Sequence, residues 1–386
     1  MQSSSTHLML TLIRSELLGT PLGEGMTDEL THTQIADLYA LSKAHDEAHI
    51  VACALDRLGL LDGDEPTLEQ FEKQQTLAFF RNRQTELETK KIFDLFEELE
   101  IAYIPLKGTV LKSHYPEAWM RTGCDVDILL REEDLDRGTA ALCERLGYTC
   151  DGKMSHDVSL HSPDGMHLEL HFALIDFSRF PAVSEILSNQ NVWRDAKRVA
   201  PDQHLFALSS EHFLLYHVAH TAKHFLIGGC GIRPFWDLWI METRLGYCID
   251  DHAQLLDEAG MLKFALAEHA LAAVFAGVRG HDSMTEQMEQ YVVRAGVYGT
   301  IENRTINQMV KKKGKFRYAL SRLILPYDTL KKQYPVLERH RWLMPLMQVR
   351  RWLRWGFCGH RRLHEILSTK SGQIRDTASL MEALGI

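Results

Sequence analysis

Three acidic side chains at strand spacing are the residues of this sequence best suited to chemistry. In Cys124-Asp125-Val126-Asp127-Ile128-Leu129-Leu130 the two-residue period of a β-strand sets Asp125 and Asp127 on one face, while Val126 and Ile128 point into the core. At ~4 Å and an effective dielectric of ~20 the two charges repel by ~4 kcal/mol. A fold tolerates that when one acid is protonated or a cation lies between them. Hard oxygen ligands in this arrangement suit magnesium, which takes its other ligands from phosphates and water. Alternating acids are also common on solvated strands, so the pair by itself leaves both readings open. Downstream, Leu168-Glu169-Leu170-His171 puts Glu169 and His171 on one face and the leucines on the other. A third carboxylate on a neighbouring strand is what two-metal phosphoryl transfer requires, because it helps hold the ion that activates the attacking hydroxyl. Upstream, Lys107-Gly108-Thr109 falls at a strand-to-helix turn, where backbone N–H groups and the helix dipole favour an anion such as a triphosphate.

The elements that must position these residues follow from periodicity. Residues 27–61 carry apolar positions at helical spacing, with Gly59 and Gly63 as stop signals, and residues 68–99 predict a long helix with Leu77, Phe80, Leu87, Ile92, Leu95 and Phe96 on its apolar side. Residues 101–106 and 124–130 read as strands, separated by a helix at 107–114. A helix over 133–146 ends at Gly147. Strands at 156–161 and 166–172 are joined by Ser162-Pro163-Asp164-Gly165, a hairpin signal because Pro presets one turn dihedral and Gly tolerates the other. After Pro201 the pattern is helical, with helices expected at 203–225, 233–245, 252–259 and 262–278 and a flexible joint at 228–231. The expectation is an α+β fold. No internal repeat or low-complexity segment interrupts it.

Taken together, Ile104-Pro-Leu-Lys-Gly-Thr-Val-Leu111, Arg121, Asp125-Val-Asp-Ile-Leu-Leu130, Gly147-Tyr148 and Glu169-Leu-His171 resemble the uncharacterised nucleotidyltransferase family of the polymerase β-like superfamily. The similarity covers roughly residues 27–256, with a weaker likeness around Tyr334-Pro335 and residues 345–351. It implies a small mixed sheet flanked by helices, with N-terminal helices and a C-terminal helical domain. It implies Asp125 and Asp127 as ligands to both of two magnesium ions, Glu169 completing the catalytic ion's site, and Gly108 and Thr109 on the β- and γ-phosphates of a nucleoside triphosphate. Thr109 stands where the superfamily usually has Ser or Gly, and the gap from there to Asp125 is slightly longer than in its polymerases. Lys107 and Arg121 are further candidates for neutralising the leaving pyrophosphate. For Arg121 an ion pair with a nearby acid is the alternative, and His171 either orients Glu169 or the acceptor, or is a structural histidine.

His217, His220 and His224 share one face of a predicted helix, with Lys223 alongside. Zinc binding is one reading. The others are half-buried histidines or the lining of a cleft, in which case His220 and Lys223 would contact nucleotide or acceptor. Arg233 and Asp237, at i and i+4, read as a surface or interdomain ion pair.

Composition bounds the rest. The 386 residues exceed one ordinary domain, and 45% hydrophobic with 25% charged residues describes a globular chain. The expected organisation is an N-terminal helical segment (1–75), a catalytic core (76–200), a helical domain closing the cleft (201–300) and a basic, aromatic-rich helical region (301–386). Seven scattered cysteines without metal spacing suggest reduced thiols in a cytoplasm, and the apolar stretch 8–13 is too short to span a membrane. Net charge is −9, yet residues 311–362 hold fifteen Lys or Arg against Asp328 and Glu338. With Phe316, Tyr318, Trp342, Trp352, Trp355 and Phe357 interspersed, this region suits RNA, an anionic membrane or its own acidic core. The expected activity is transfer of a nucleoside monophosphate from a triphosphate, with ATP as the expected donor, to a small-molecule, peptide or saccharide acceptor. RNA-modifying transfer and a non-catalytic scaffold are the alternatives.

Overall fold

Four helices precede the first strand in the computed structural model, which describes residues 2–23, 30–61, 66–174, 180–358 and 371–386. They are α1 (Gln2–Leu18), α2 (His32–Ala44), α3 (Ala48–Arg57) and α4 (Pro66–Glu98). Thr31 opens α2 with a capping box: Gln34 N–H donates to its hydroxyl at 3.3 Å, and its own N–H donates to Gln34 Oε1 at 2.9 Å. The stretch 8–13 is the buried stripe of α1, a helix that the expectations above do not include, with Met9, Leu12 and Ile13 in the core. Thr27, Gly63, Arg361 and Arg362 lie outside the described residues.

The expected strands assemble into one mixed sheet in the order β1-β2-β5-β4-β3, and the chain is α+β. The strands are β1 (Tyr103–Pro105), β2 (Asp125–Leu130), β3 (Thr149–Lys153), β4 (Asp157–His161) and β5 (His167–His171), with α5 (Lys107–Leu111) and α6 (Leu135–Leu146) between them. β3 is unexpected from sequence: Thr149-Cys150-Asp151-Gly152-Lys153 has no apolar alternation, and antiparallel pairing with β4 makes it an edge strand. The hairpin turn is as expected, with Gly165 at φ +82° and its N–H donating to the Ser162 carbonyl at 2.9 Å.

One face of the sheet buries Val126, Ile128, Leu130, Leu168 and Leu170 against Ile92, Leu95 and Phe96 of α4 and Leu142 of α6. Each such side chain contributes roughly 1.5–3 kcal/mol, so this face fixes which way the intervening residues point. Only the C-terminal third of α4 carries out the packing expected of it. Leu77, Phe80 and Leu87 are exposed, because the sheet does not extend beneath that part of the helix.

Beyond the sheet come α7 (Pro181–Ile186), α8 (Asn189–Asp195), the short pair β6 (Lys197–Arg198) and β7 (Phe206–Ala207), and α9 (Ser210–Ile227). The helix expected from 203 therefore starts at Ser210, where the Ser209 hydroxyl accepts from His212 N–H at 3.2 Å. The next helices are α10 (Arg233–Leu245), α11 (Ala253–Glu258), α12 (Leu262–Phe275) and α13 (Ser283–Ala295). Residues 228–231, expected as a flexible joint, are buried instead. A side chain at Gly229 would collide with Ala295, so glycine serves close packing between α9 and α13. α1 and α3 share one apolar core with α9, α10 and α12, around Tyr216, Phe225, Trp236 and Phe264.

The C-terminal region contains α14 (Ile301–Lys311), α15 (Lys315–Leu323), α16 (Tyr327–Gln333), α17 (Val336–Arg339), α18 (Met344–Cys358) and α19 (Ser371–Leu384). Leu380, Met381 and Leu384 of α19 join the main core. Among the described residues no helix is long and apolar enough to cross a membrane, and Cys53, Cys124, Cys143, Cys150, Cys230 and Cys248 are free thiols.

Candidate active site

β2 and β5 run parallel, with Asp125 opposite His167, Asp127 opposite Glu169 and Leu129 opposite His171. Since Val126, Leu168 and Leu170 are committed to the core, the acids and both histidines share the other face. His171 Nε2 lies 2.8 Å from Asp127 Oδ1 and 3.4 Å from Glu169 Oε2. Lys107 Nζ donates to Asp127 Oδ1 at 3.1 Å. Lys107 holds this place from a left-handed backbone, φ +43°, at the first residue of α5.

The cations that make the carboxylates tolerable thus belong to the chain itself. At an effective dielectric of ~20 a cation ~3 Å away attracts Asp127 by about 5 kcal/mol, and two such partners outweigh the ~4 kcal/mol repulsion between the aspartates. Burial alone would raise the Asp127 carboxyl, but Lys107 and the His171 hydrogen bond hold it well below the usual carboxylate range. Asp125 moves the other way, raised by burial and by the charge of Asp127. Glu169 is lowered by its contact with His171. Burial would lower His171, yet its bonds to Asp127 and Glu169 push it up to about 9, so the imidazole is a cation at neutral pH.

Two donor sets have ligand atoms within 4.8 Å of one another: Asp125, His167 and Glu169, and Asp127, Glu169 and His171. Glu169 belongs to both, and the two aspartates fall in separate sets. The carboxylate oxygens of these sets fit a divalent cation, whereas His171, protonated between Asp127 and Glu169, acts as a counter-cation rather than a ligand. The Asp125 carboxylate has no hydrogen-bond partner among the described residues, so its oxygens remain available to a ligand. His167 was not among the expected site residues. Its signal was present in the sequence, since it stands two residues before Glu169 and therefore on the same strand face.

Asp125 and Asp127 form the floor of a cleft of about 280 Å³. Lys107, Gly108 and Arg121 line it on the side of the sheet, with Tyr216 and His220 of α9 and Asp237 of α10 opposite. Of the two readings of Arg121, the ion pair is present: Nη2 and Nε donate to Asp237 Oδ2 and Oδ1 at 2.8 and 3.2 Å, and Tyr115 OH donates to Oδ1 at 2.8 Å. A side chain at Gly108 would collide with the Arg121 guanidinium, which explains glycine there. Thr109 lines a second, smaller recess with Gly108, Arg81 and Asn82.

A family model described as uncharacterised nucleotidyltransferase matches residues 31–277. The chain belongs to that family. The matched span runs from α2 through α12 and so includes both strands of the acidic face and both helices of the cleft wall. No curated protein and no solved structure matches the chain. Family membership supports a general nucleoside triphosphate transferase activity and a divalent metal beside the acidic cluster.

In this nucleotidyltransferase the α9 histidines line the cleft and, among the described residues, form no metal-holding group. His220 Nε2 and His224 Nε2 lie 3.1 Å apart. Burial lowers both, assisted by the charge of Lys107, with His224 near about 4 and His220 well below its ordinary value, so two neutral rings can share one proton bond. His217 instead faces the buried Glu268 at 3.2 Å. Lys223 is half-buried outside the cleft lining, and its charge acts on His156, His220 and His224.

The expected Arg233–Asp237 pair is not formed. Asp237 is taken by Arg121, while Arg233 bonds Asp46 Oδ2 at 2.5 Å and approaches Glu47 Oε1 at 3.4 Å. Both residues are oriented by acids and bases of other elements, which helical spacing cannot reveal.

Proposed function

We propose that the chain transfers a nucleoside monophosphate from a nucleoside triphosphate, with ATP as the candidate donor, to a hydroxyl or phosphate of a small-molecule, peptide or saccharide acceptor. The observation that carries the reading is the register of β2 on β5, which sets Asp127 beside Glu169 with Asp125 on the same face of a cleft. Asp125, Asp127 and Glu169 would hold two magnesium ions, which when bound neutralise phosphate charge and activate the attacking oxygen.

The chain's own residues supply the rest. Gly108 and Thr109 bind the terminal phosphates from the turn, where the absence of a side chain at 108 makes room for the Arg121 guanidinium. Lys107 shares its charge between Asp127 and the phosphates. Arg121, fixed by Asp237, holds the turn from behind and adds positive potential to the cleft wall. His171 orients Glu169, and His220 contacts nucleotide or acceptor from the opposite wall, with Lys223 adding charge behind it. The acceptor oxygen bonds to the α-phosphorus as the bond to the β-phosphate oxygen breaks, and pyrophosphate leaves. A net charge of −9 favours an acceptor that is not a polyanion.

The test is to incubate the protein with magnesium, each of the four nucleoside triphosphates and a cell extract, measuring pyrophosphate release and mass shifts on metabolites and peptides. Release that disappears in Asp127→Asn, with the fold retained by circular dichroism, is the expected result. Turnover unchanged in that variant would end the assignment, and no release under any condition would make the fold a binding module.

A further inference from the structure

The C-terminal helices leave apolar side chains facing solvent in ordered rows. Along α15, Phe316, Leu320 and Leu323 recur at i, i+4 and i+7 and are 79%, 46% and 46% exposed, while Tyr318 turns inward. From the short turn before α18, Trp342, Leu346, Val349 and Leu353 recur at i, i+4, i+7 and i+11 and are 75%, 59%, 44% and 64% exposed. The inner side of α18 carries Met347, Gln348 and Arg351. Spacing of this kind is what an amphipathic helix uses to bury a face, yet here the apolar face is the outer one.

The two rows meet. Arg351 Nη2 donates to the carbonyls of Arg322 and Leu323 at 2.8 and 2.6 Å, and Trp352 Nε1 donates to Leu323 O at 2.6 Å, which docks α18 on the end of α15. Among the described residues, two small cores lie beneath them, one of Leu325, Leu330, Leu337 and Met347 and one of Met309 and Tyr318. Cations flank the rows: Lys311, Lys312, Lys313 and Arg317 share a hollow with Leu320 and Ile324, and Arg350 and Arg354 adjoin Val349 and Leu353. None of these residues lines the catalytic cleft, and the surface stands independently of the transfer reaction.

We propose that this surface docks the protein on an anionic phospholipid membrane, with Phe316, Trp342, Leu346 and Leu353 entering the headgroup boundary and the surrounding Lys and Arg on the lipid phosphates. Its chemistry selects this occupant over the others. Single-stranded RNA would use exposed aromatics for stacking but gains nothing from exposed Leu320, Leu323, Ile324, Leu346 and Leu353. A protein partner would cover the aliphatic row, but would leave the flanking lysines and arginines at its rim, where exposed charges contribute little. Lipid takes both, since interfacial helices combine Trp, Phe and Leu on one side with Lys and Arg around them. With fifteen cations and two acids in 311–362 on a chain of net charge −9, the remainder is acidic and would turn away from an anionic surface.

The full chain is tested by sedimentation with vesicles of phosphatidylcholine mixed with phosphatidylglycerol, with vesicles of phosphatidylcholine alone, and with a single-stranded RNA oligonucleotide. Binding to the mixed vesicles, weakened by salt and accompanied by a blue shift of tryptophan emission, is expected. Trp342→Ser combined with Leu353→Ser should lower it about tenfold or more without changing the circular dichroism. A second variant, Lys312→Gln with Arg317→Gln, should weaken binding while leaving any residual blue shift in place. Equal binding to neutral vesicles, no vesicle binding, or full binding by the Trp342 and Leu353 variant would overturn the proposal. RNA binding without vesicle binding would overturn it in favour of a nucleic-acid surface.

Discussion

Asp127 is where the charges of the site converge, and its partners can be tested one at a time. Lys107 and Asp127 are largely shielded from solvent, with side chains 22% and 5% exposed, so removing Lys107 leaves the buried carboxylate with His171 as its remaining cationic partner. Lys107→Met should cost about 3 kcal/mol in urea unfolding. Part of that loss should return with added magnesium, because a divalent ion that binds only the folded site stabilises it by mass action. A variant as stable as the parent would show that Lys107 does not neutralise Asp127, and one indifferent to magnesium would contradict a metal beside that carboxylate. The glycine at the turn offers a paired comparison. Gly108→Ala drives a methyl group into the Arg121 guanidinium, whereas at Gly123 the same methyl would sit 3.5 Å from Arg121 Nη1, an ordinary contact. Gly108→Ala should therefore raise the KM for the triphosphate and lower stability by about 1–3 kcal/mol, while Gly123→Ala should do neither.

Between elements, the important contacts are buried ion pairs that tie α10 to the sheet side and to the N-terminal helices. Arg121 meets Asp237 across the cleft wall, and Arg233 meets Asp46 in the turn between α2 and α3. Such pairs cost desolvation, so they hold position more than they add stability. Arg121→Met should destabilise by ~3–5 kcal/mol because Asp237 is left buried and charged. Adding Asp237→Leu should recover part of the loss, with a coupling energy of about 0.5–3 kcal/mol in a double-mutant cycle. Strict additivity would mean that the two residues act separately. These pairs also mark the limit of local reading. The strands around Asp125 and Glu169 were legible because alternation is a property of the strand itself, and the ends of α10 matched because its apolar period is strong. β3 and the starts of α1 and α9 depend on neighbours, and so did the partner of Arg233.

At the scale of the whole molecule the buried histidines set an acid limit. His45 accepts no solvent and shares a 3.2 Å bond with the Val293 carbonyl, and His49 lies 2.8 Å from the Met120 carbonyl, joining the N-terminal helices to α13 and to the site loop. Burial lowers both to about 4, and His224 likewise. Since their folded values lie below the ordinary 6.5, the unfolded chain binds more protons between the two. Their contribution is complete above about 6.5 and is lost as pH falls toward 4. Glu47, raised by burial to about 8, and Glu268, Glu289 and Asp125, also raised by burial, work in the opposite direction, as do the raised His171, His217 and His269 above about 6.5. Between about 6.5 and 5, however, the lowered histidines, with His220, His156 and His212 among them, outnumber the four acids. The melting temperature should therefore fall between about pH 6.5 and pH 5. His45→Gln should flatten that dependence, and a profile level across the interval would contradict the assignment of these histidines as neutral.

The sequence by itself determined the parity of the site: Asp125, Asp127, Glu169 and His171 had to share one face once Val126, Ile128, Leu168 and Leu170 were committed to the other. It also determined the α+β character and the family likeness, because these rest on short-range period and local motif. Tertiary structure alone decided that Lys107 and His171 neutralise Asp127, that His167 joins the acids, and that Arg121 takes the Asp237 that helical spacing suggested for Arg233. It also decided that the glycines at 228–231 are packed rather than loose. The physical reason is one of range: a strand's alternation is written in neighbouring residues, whereas a buried charge takes its partner from whichever element the fold brings within about 3 Å.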